Sequence, residues 1–229
     1  MITEEQAKAV QEVAKLGQSA IESGGRAGSY LAEIFHDVIG NAVGRWSDNE
    51  QAKRLQNRIR WTKVLQREIE VAGLTDKLER IADRQAFPLL AAVEIEDDDE
   101  VQRVWAKYVT NAMNPAKPGV SINRRLTETI RSLEPEDLPI LRRFFEIDLS
   151  VKTVEATVLP LEAFGVPPEA LDFTMTRFVS LGLFTYSVGD YLEITSGGQE
   201  GWPCWVEIRT SLGEYRSAPL LLMLQQAIT

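Results

Sequence analysis

Six of the seven residues from 94 to 100 are carboxylates: Glu94, Glu96, Asp97, Asp98, Asp99 and Glu100. Such a run could hold Mg2+ or Ca2+, which require several oxygens converging at short range. Consecutive carboxylates on an extended or helix-capping segment diverge instead, and the spacing and central glycine of an EF-hand loop are missing. Helix capping plus a solvated acidic patch is therefore the expected role, and no metal site is expected. His36 is the only histidine and Cys204 the only cysteine. That excludes a His-rich metal centre and leaves no Ser-His-Asp constellation. Cys204, between Pro203 and Trp205, is expected to be buried packing and not a nucleophile. Gly24-Gly25 and Gly197-Gly198 lack the spacing of a Walker or Rossmann phosphate loop. The expectation is a non-enzyme with no catalytic residue, no cofactor and no evident small-molecule substrate.

Two sets of residues could bind a macromolecule. Lys53, Arg60, Lys63 and Arg67 fall on one face of a helix over 50–72, opposite Trp61, Leu65, Ile69 and Ala72. Such a face is either an anion- or nucleic-acid-binding stripe or a solvated surface paired with acids, and the second reading is preferred. Tyr186, Tyr191, Trp202 and Trp205 gather around a C-terminal hairpin. Most of that group is expected to form core, and any exposed part would suit a protein contact, since aromatic anchors within a polar rim are typical of such surfaces.

The elements that position these residues are mostly helices. Val101, Val104, Trp105, Tyr108, Val109 and Ala112 follow at i, i+3, i+4, i+7, i+8 and i+11, an apolar stripe with Gln102, Arg103, Lys107 and Asn111 on the other side. The Asp97–Asp99 run caps this helix, around which the rest of the chain is organised. Helices are also expected over 3–22, 27–46 and 50–72 (ended by Gly73), and from Thr75 to 93, kinked or restarted at Pro88. Further helices are expected from Ser121, from Pro135 to about 147, and from Pro167-Pro168 to Gly182. The face with Gly40 and Gly44 could lie on a membrane surface, but packing against protein suits it better.

After residue 150 the composition shifts toward β-branched residues. LFTYSV, Gly189-Asp190 and YLEIT read as a β-hairpin, CWVEIR as a further strand, and Thr210 or Ser211 as the cap of a last short helix. The fold class is thus mainly α: an N-terminal multi-helix body (residues 1–149) with a small C-terminal α+β winged-helix-like module (residues 150–229) whose hairpin is the wing. In such a module the helix before the wing can read DNA. Here that helix offers Glu169 and Asp172 against the single cation Arg177, which disfavours it.

An apolar share of 44% and a charged share of 26% are those of an ordinary globular protein. The net charge of −9 argues against general affinity for phosphate backbones. Residues 151–229 hold four basic and nine acidic side chains, and the first 150 hold 21 and 25. The lone cysteine, the polar, acidic first residues and the shortness of the longest apolar run (86–93) point to a cytoplasmic protein that does not span a membrane.

The acidic stretch leading into a tryptophan-bearing helix (EIEDDDEVQRVWAKYVTNAM), then LEPEDLPILRRF, then FTMTRFVSLGLF and IRTSLGEYRSA, resembles the bacterial abortive-infection alpha (Abi-alpha) family over roughly residues 26–218. Glu134 departs from that pattern, where serine is more usual, and the apolar tail after Pro219 suggests an additional docking helix. The resemblance implies a part in resistance to phage infection and brings no active site. The expected function is a non-enzymatic interaction protein that acts through self-association and protein contacts. The alternatives are a nucleic-acid-binding regulator using Lys53, Arg60, Lys63 and Arg67, and a membrane-perturbing effector using residues 27–46.

Overall fold

The structure, a computed structural model, describes residues 49–75, 77–146, 157–158, 164–187, 206–209 and 214–229, with Gln11 alone before them. The helices expected over 3–22 and 27–46, with His36 and the Gly40/Gly44 pair, lie outside the described residues, as do Cys204 and residues 147–156 around the expected domain boundary. Among the described residues the chain is mainly helical, with seven helices. None of them is long and apolar enough to cross a membrane. Contacts group the chain into two compact units that divide between Thr127 and Glu128.

In the first unit α1 (Asn49–Val71) is followed by α2 (Asp83–Ile95) and α3 (Asp99–Ala112). α1 buries Leu55, Ile59, Trp61, Leu65 and Ile69 at helical spacing and packs on both other helices. The side-chain amide of Asn57 donates to the Glu94 carbonyl at the end of α2 (3.1 Å), and the Glu79 amide donates to the Met113 carbonyl just past α3 (2.8 Å). α2 thus carries the chain back along α1, and α3 returns in the direction of α1.

α1 ends in a Schellman turn. Gly73 has φ +65°, its N–H donates to the Glu70 carbonyl (3.0 Å), and the Leu74 N–H donates to the Ile69 carbonyl (3.1 Å). The helix expected from Thr75 begins instead at Asp83. The segment before it is engaged elsewhere, with the Glu79 N–H spent on Met113. Pro88 lies inside α2 and does not restart it.

α3 is more enclosed than an amphipathic stripe implies. Trp105, Tyr108 and Val109 are buried as expected, but so are Gln102 and Asn111, expected on the other side, together with Ala106 and Thr110. Small residues at 106 and 110 allow that enclosure, and the Gln102 amide reaches main-chain carbonyls of Asn57 (3.3 Å) and Glu96 (2.7 Å). The loop after α3 is pinned by Tyr108, whose hydroxyl donates to the Ser121 carbonyl (3.1 Å) and accepts from the Asn123 N–H (2.9 Å). Burial raises the Tyr108 pKa, partly offset by the Asn123 N–H and the Thr127 hydroxyl. α4 (Arg124–Arg131) is capped by Asn123, not by Ser121: the Asn123 side-chain oxygen accepts from the Leu126 N–H at 2.9 Å. The division between the units falls within α4.

The second unit holds α5 (Asp137–Phe145), β1 (Thr157–Val158), α6 (Pro168–Ser180), β2 (Phe184–Ser187), β3 (Val206–Arg209), β4 (Glu214–Ser217) and α7 (Pro219–Ile228). The strands form one sheet in the order β1-β3-β4-β2, with β1 parallel to β3 and the other pairs antiparallel. Phe144 contacts Phe164 (centroids 5.1 Å apart) and Phe184 (4.8 Å), and Phe178 stacks on Phe184 (6.0 Å). α6 buries Leu171, Met175 and Phe178 as its spacing predicts, and a second Schellman turn at Gly182 (φ +74°) reverses the chain into β2.

The turn at Gly189-Asp190 and the strand expected after it lie outside the described residues; the described partner of β2 is β4. Thr210 and Ser211, expected to cap a last short helix, lie outside the described residues, and the described residues that follow them, 214–217, form a strand and not a helix. The main chain of that strand pairs with both β3 and β2. The last helix starts at Pro219, where a missing N–H costs nothing. Leu220, Leu221 and Leu224 of this tail are buried, and Gln225 donates to the Phe145 carbonyl (3.1 Å), so the tail docks as a helix.

A β-carbon added at Gly73 would meet nothing within 4 Å, so substitution there tests backbone strain alone. Gly73→Ala is expected to cost about 1–2 kcal/mol in urea unfolding. Gly119→Ala, equally open but without a positive φ, should stay within about 0.5 kcal/mol of the parent.

Candidate functional site

The basic residues of α1 and the acidic residues at 94–100 lie some forty positions apart in sequence, and the fold places them against each other. Lys53 donates to Asp97 (2.7 Å). Arg60 donates to the Asp97 carbonyl (2.9 Å), the Asp99 carboxylate (2.8 Å) and the side-chain oxygen of Asn57 (3.0 Å). Arg58, absent from the expected stripe, pairs with Glu94, and both side chains are largely buried. Burial pulls the Arg58 guanidinium down to about 10, which leaves it charged at neutral pH.

Each remaining carboxylate of the run also has a local role. Asp98 is the N-cap of α3, its Oδ1 accepting from the Glu100 and Val101 N–H groups at 2.9 Å each. Glu96 accepts from the Asp98 N–H (2.9 Å), and Glu100 pairs with Arg103 one turn along. The side chains therefore point to separate partners. Among the described residues no group of three or more His, Cys, Asp or Glu is arranged to hold a metal ion.

Of the four cations in the candidate nucleic-acid face, Lys53 and Arg60 are thus held by Asp97 and Asp99, while Lys63 and Arg67 are exposed further along α1. The second cationic candidate is also engaged. Arg177 of α6 pairs with Asp137, which is only 1% exposed, and lies 3.9 Å from Glu134. The same Asp137 carboxylate accepts from the Glu134 N–H (2.9 Å), closing the turn that starts α5. One buried acid thus sets the start of α5 and holds α6 to it.

Of the candidate protein-contact residues, Tyr191, Trp202 and Trp205 lie outside the described residues. Tyr186 is on β2 and 41% exposed. The most exposed aromatic among the described residues is absent from that candidate set: Phe173 on α6, at 69% exposure. The signal for it was present in the spacing: at 100° per residue, Phe173 falls nearly opposite Leu171, Met175 and Phe178.

The acidic run contributes to stability unevenly. Asp98→Ala is expected to cost about 1 kcal/mol through the lost cap. Lys53→Ala should cost less than about 0.5 kcal/mol, because both members of that pair are mostly exposed. Urea unfolding of the two variants distinguishes them.

Glu96 and Asp97 shift in opposite directions. Burial, with the charges of Asp98 and Asp97, raises the Glu96 pKa against the opposing backbone hydrogen bonds; the hydrogen bond and charge of Lys53 lower that of Asp97. A carboxyl raised in the folded state destabilises the fold above its folded pKa, and protonation relieves that cost as pH falls. Glu96→Gln, which keeps an acceptor for the Asp98 N–H, is therefore expected to raise the urea midpoint at neutral pH. The advantage should shrink as pH falls through the folded pKa and be gone by about pH 4. An advantage that persists in acid would contradict this assignment.

No protein-family model, no curated protein and no solved structure matches this chain.

Proposed function

We propose that this is a non-enzymatic interaction protein of the bacterial cytoplasm, a component of phage defence of the abortive-infection kind. It acts through helical self-association and through protein contacts of its C-terminal part, read as a winged-helix-like module formed by α6 and the strands after it. The observation that carries the reading is the internal pairing of three of its candidate phosphate-binding cations, although Lys63 and Arg67 stay exposed. Lys53 and Arg60 are spent on Asp97 and Asp99, and Arg177, the only cation of α6, is spent on Asp137. A surface that recognises a nucleic-acid backbone needs such groups available to displace condensed counterions. The exposed aromatics Phe173 and Tyr186 instead suit contact with protein.

On a heparin column at low salt the protein is expected to elute in the void volume; retention that falls steeply with salt would favour nucleic acid. Light scattering is expected to give a mass above that of one 25.7 kDa chain, or that of a stable complex. A strict monomer with no partner counts against the reading. Phage challenge of bacteria with and without the gene tests the biological role, and equal plaque counts would remove it.

A further inference from the structure

We propose that the exposed face of α6 centred on Phe173 is a docking site for a cationic protein segment, one that presents lysine or arginine beside an apolar recess. This rests on the reading of the chain as an interaction protein and names the partner's chemistry. Glu169, Ala170, Phe173, Thr176 and Ser180 are the exposed residues of α6, and they lie along one side of it. Two of the polar groups on that side are satisfied within the helix: the Thr176 hydroxyl donates to the Asp172 carbonyl (2.9 Å) and the Ser180 hydroxyl to the Arg177 carbonyl (2.6 Å). What faces outward is therefore an aromatic ring flanked by small groups, with one carboxylate and no cation. A ring with two rotatable bonds gives a large contact area at little entropic cost, which is why aromatics dominate the energetics of interfaces.

Charge complementarity selects the occupant. Residues 128–227 carry seven basic and fifteen acidic side chains, so −8 of the net −9 belongs to this unit. Nucleic acid and anionic lipid are repelled by such a field, and a symmetric contact between two copies would set two −8 units against each other. A segment rich in lysine and arginine is drawn to it.

The test uses the full chain and two labelled synthetic peptides with the same apolar face, one bearing lysine and arginine and the other glutamate at the polar positions. By fluorescence anisotropy the cationic peptide is expected to bind at low salt and weaken as salt rises, while the acidic one does not bind. Phe173→Ala leaves the charge unchanged and the core untouched, with an unaltered thermal midpoint as its check; it should weaken cationic-peptide binding about tenfold or more. Equal binding by Phe173→Ala would mean diffuse charge attraction and overturns the site, as does failure of the parent chain to bind the cationic peptide. A change in the mass of the free protein on Phe173→Ala would identify a second copy as the occupant and also overturns it. Phage challenge separates this proposal from the reading beneath it. If the gene protects and its Phe173→Ala form protects equally, this face is wrong and the interaction reading stands.

Discussion

The first unit is organised by the cations of α1 meeting the acidic connection between α2 and α3. Arg58 sits where water reaches it poorly, and a guanidinium there requires an acid at close range; Glu94, at the end of α2, is that acid. This pairing fixes how far α2 runs along α1. Asn57 then holds the Glu94 carbonyl, Arg60 holds the Asp97 carbonyl, and Gln102 ties the Glu96 carbonyl to that of Asn57. The main chain between the two helices is thereby gripped at three points, and α3 leaves it in one direction. The exposed pairs, such as Lys53 with Asp97, add little energy of their own. Their effect is to pair two of the four cations on the basic face of α1, Lys53 and Arg60.

The second unit uses the same physics once. Asp137 is buried and would be costly without partners, and it has two: the Glu134 amide and the Arg177 guanidinium. Around this link the aromatic cluster of Phe144, Phe164, Phe178 and Phe184 supplies much of the apolar contact. The consequence for the surface is that Arg177, the one cation of α6, is engaged by Asp137 while Glu169 on the same helix stays exposed. A unit with a balance of −8 that displays Phe173 on its helix is the basis of the proposed contact with a cationic protein segment.

Much of the local structure was legible because it follows from rules that act within a few residues. The Asp98 cap, the stop at Gly73, the Leu171/Met175/Phe178 stripe and the helical tail after Pro219 each depend on side-chain period or backbone conformation alone. Where the expectation failed, a distant group had intervened. Thr75 carries good start signals, yet the chain beyond it hydrogen-bonds to Met113, and α2 begins only at Asp83. Residues 214–217 extend because strands on both sides pair with their main chain. Gln102 looked like surface because glutamine usually is, but two main-chain carbonyls forty-five and six positions away made its burial tolerable.

By itself the sequence determined the helix-rich composition, the stripes that become core, the caps and stops, and the acidic balance. These are additive or short-range properties, carried by each residue or by neighbours within a turn. Only the tertiary structure decided which charges survive as surface. A basic stripe on one helix and an acidic run some forty residues later read as two separate candidate sites, and in the folded chain Lys53 and Arg60 of the stripe are held by Asp97 and Asp99 of the run. The reason is that the Coulomb energy of a pair depends on its distance and surroundings in space, and neither is written in the separation along the chain.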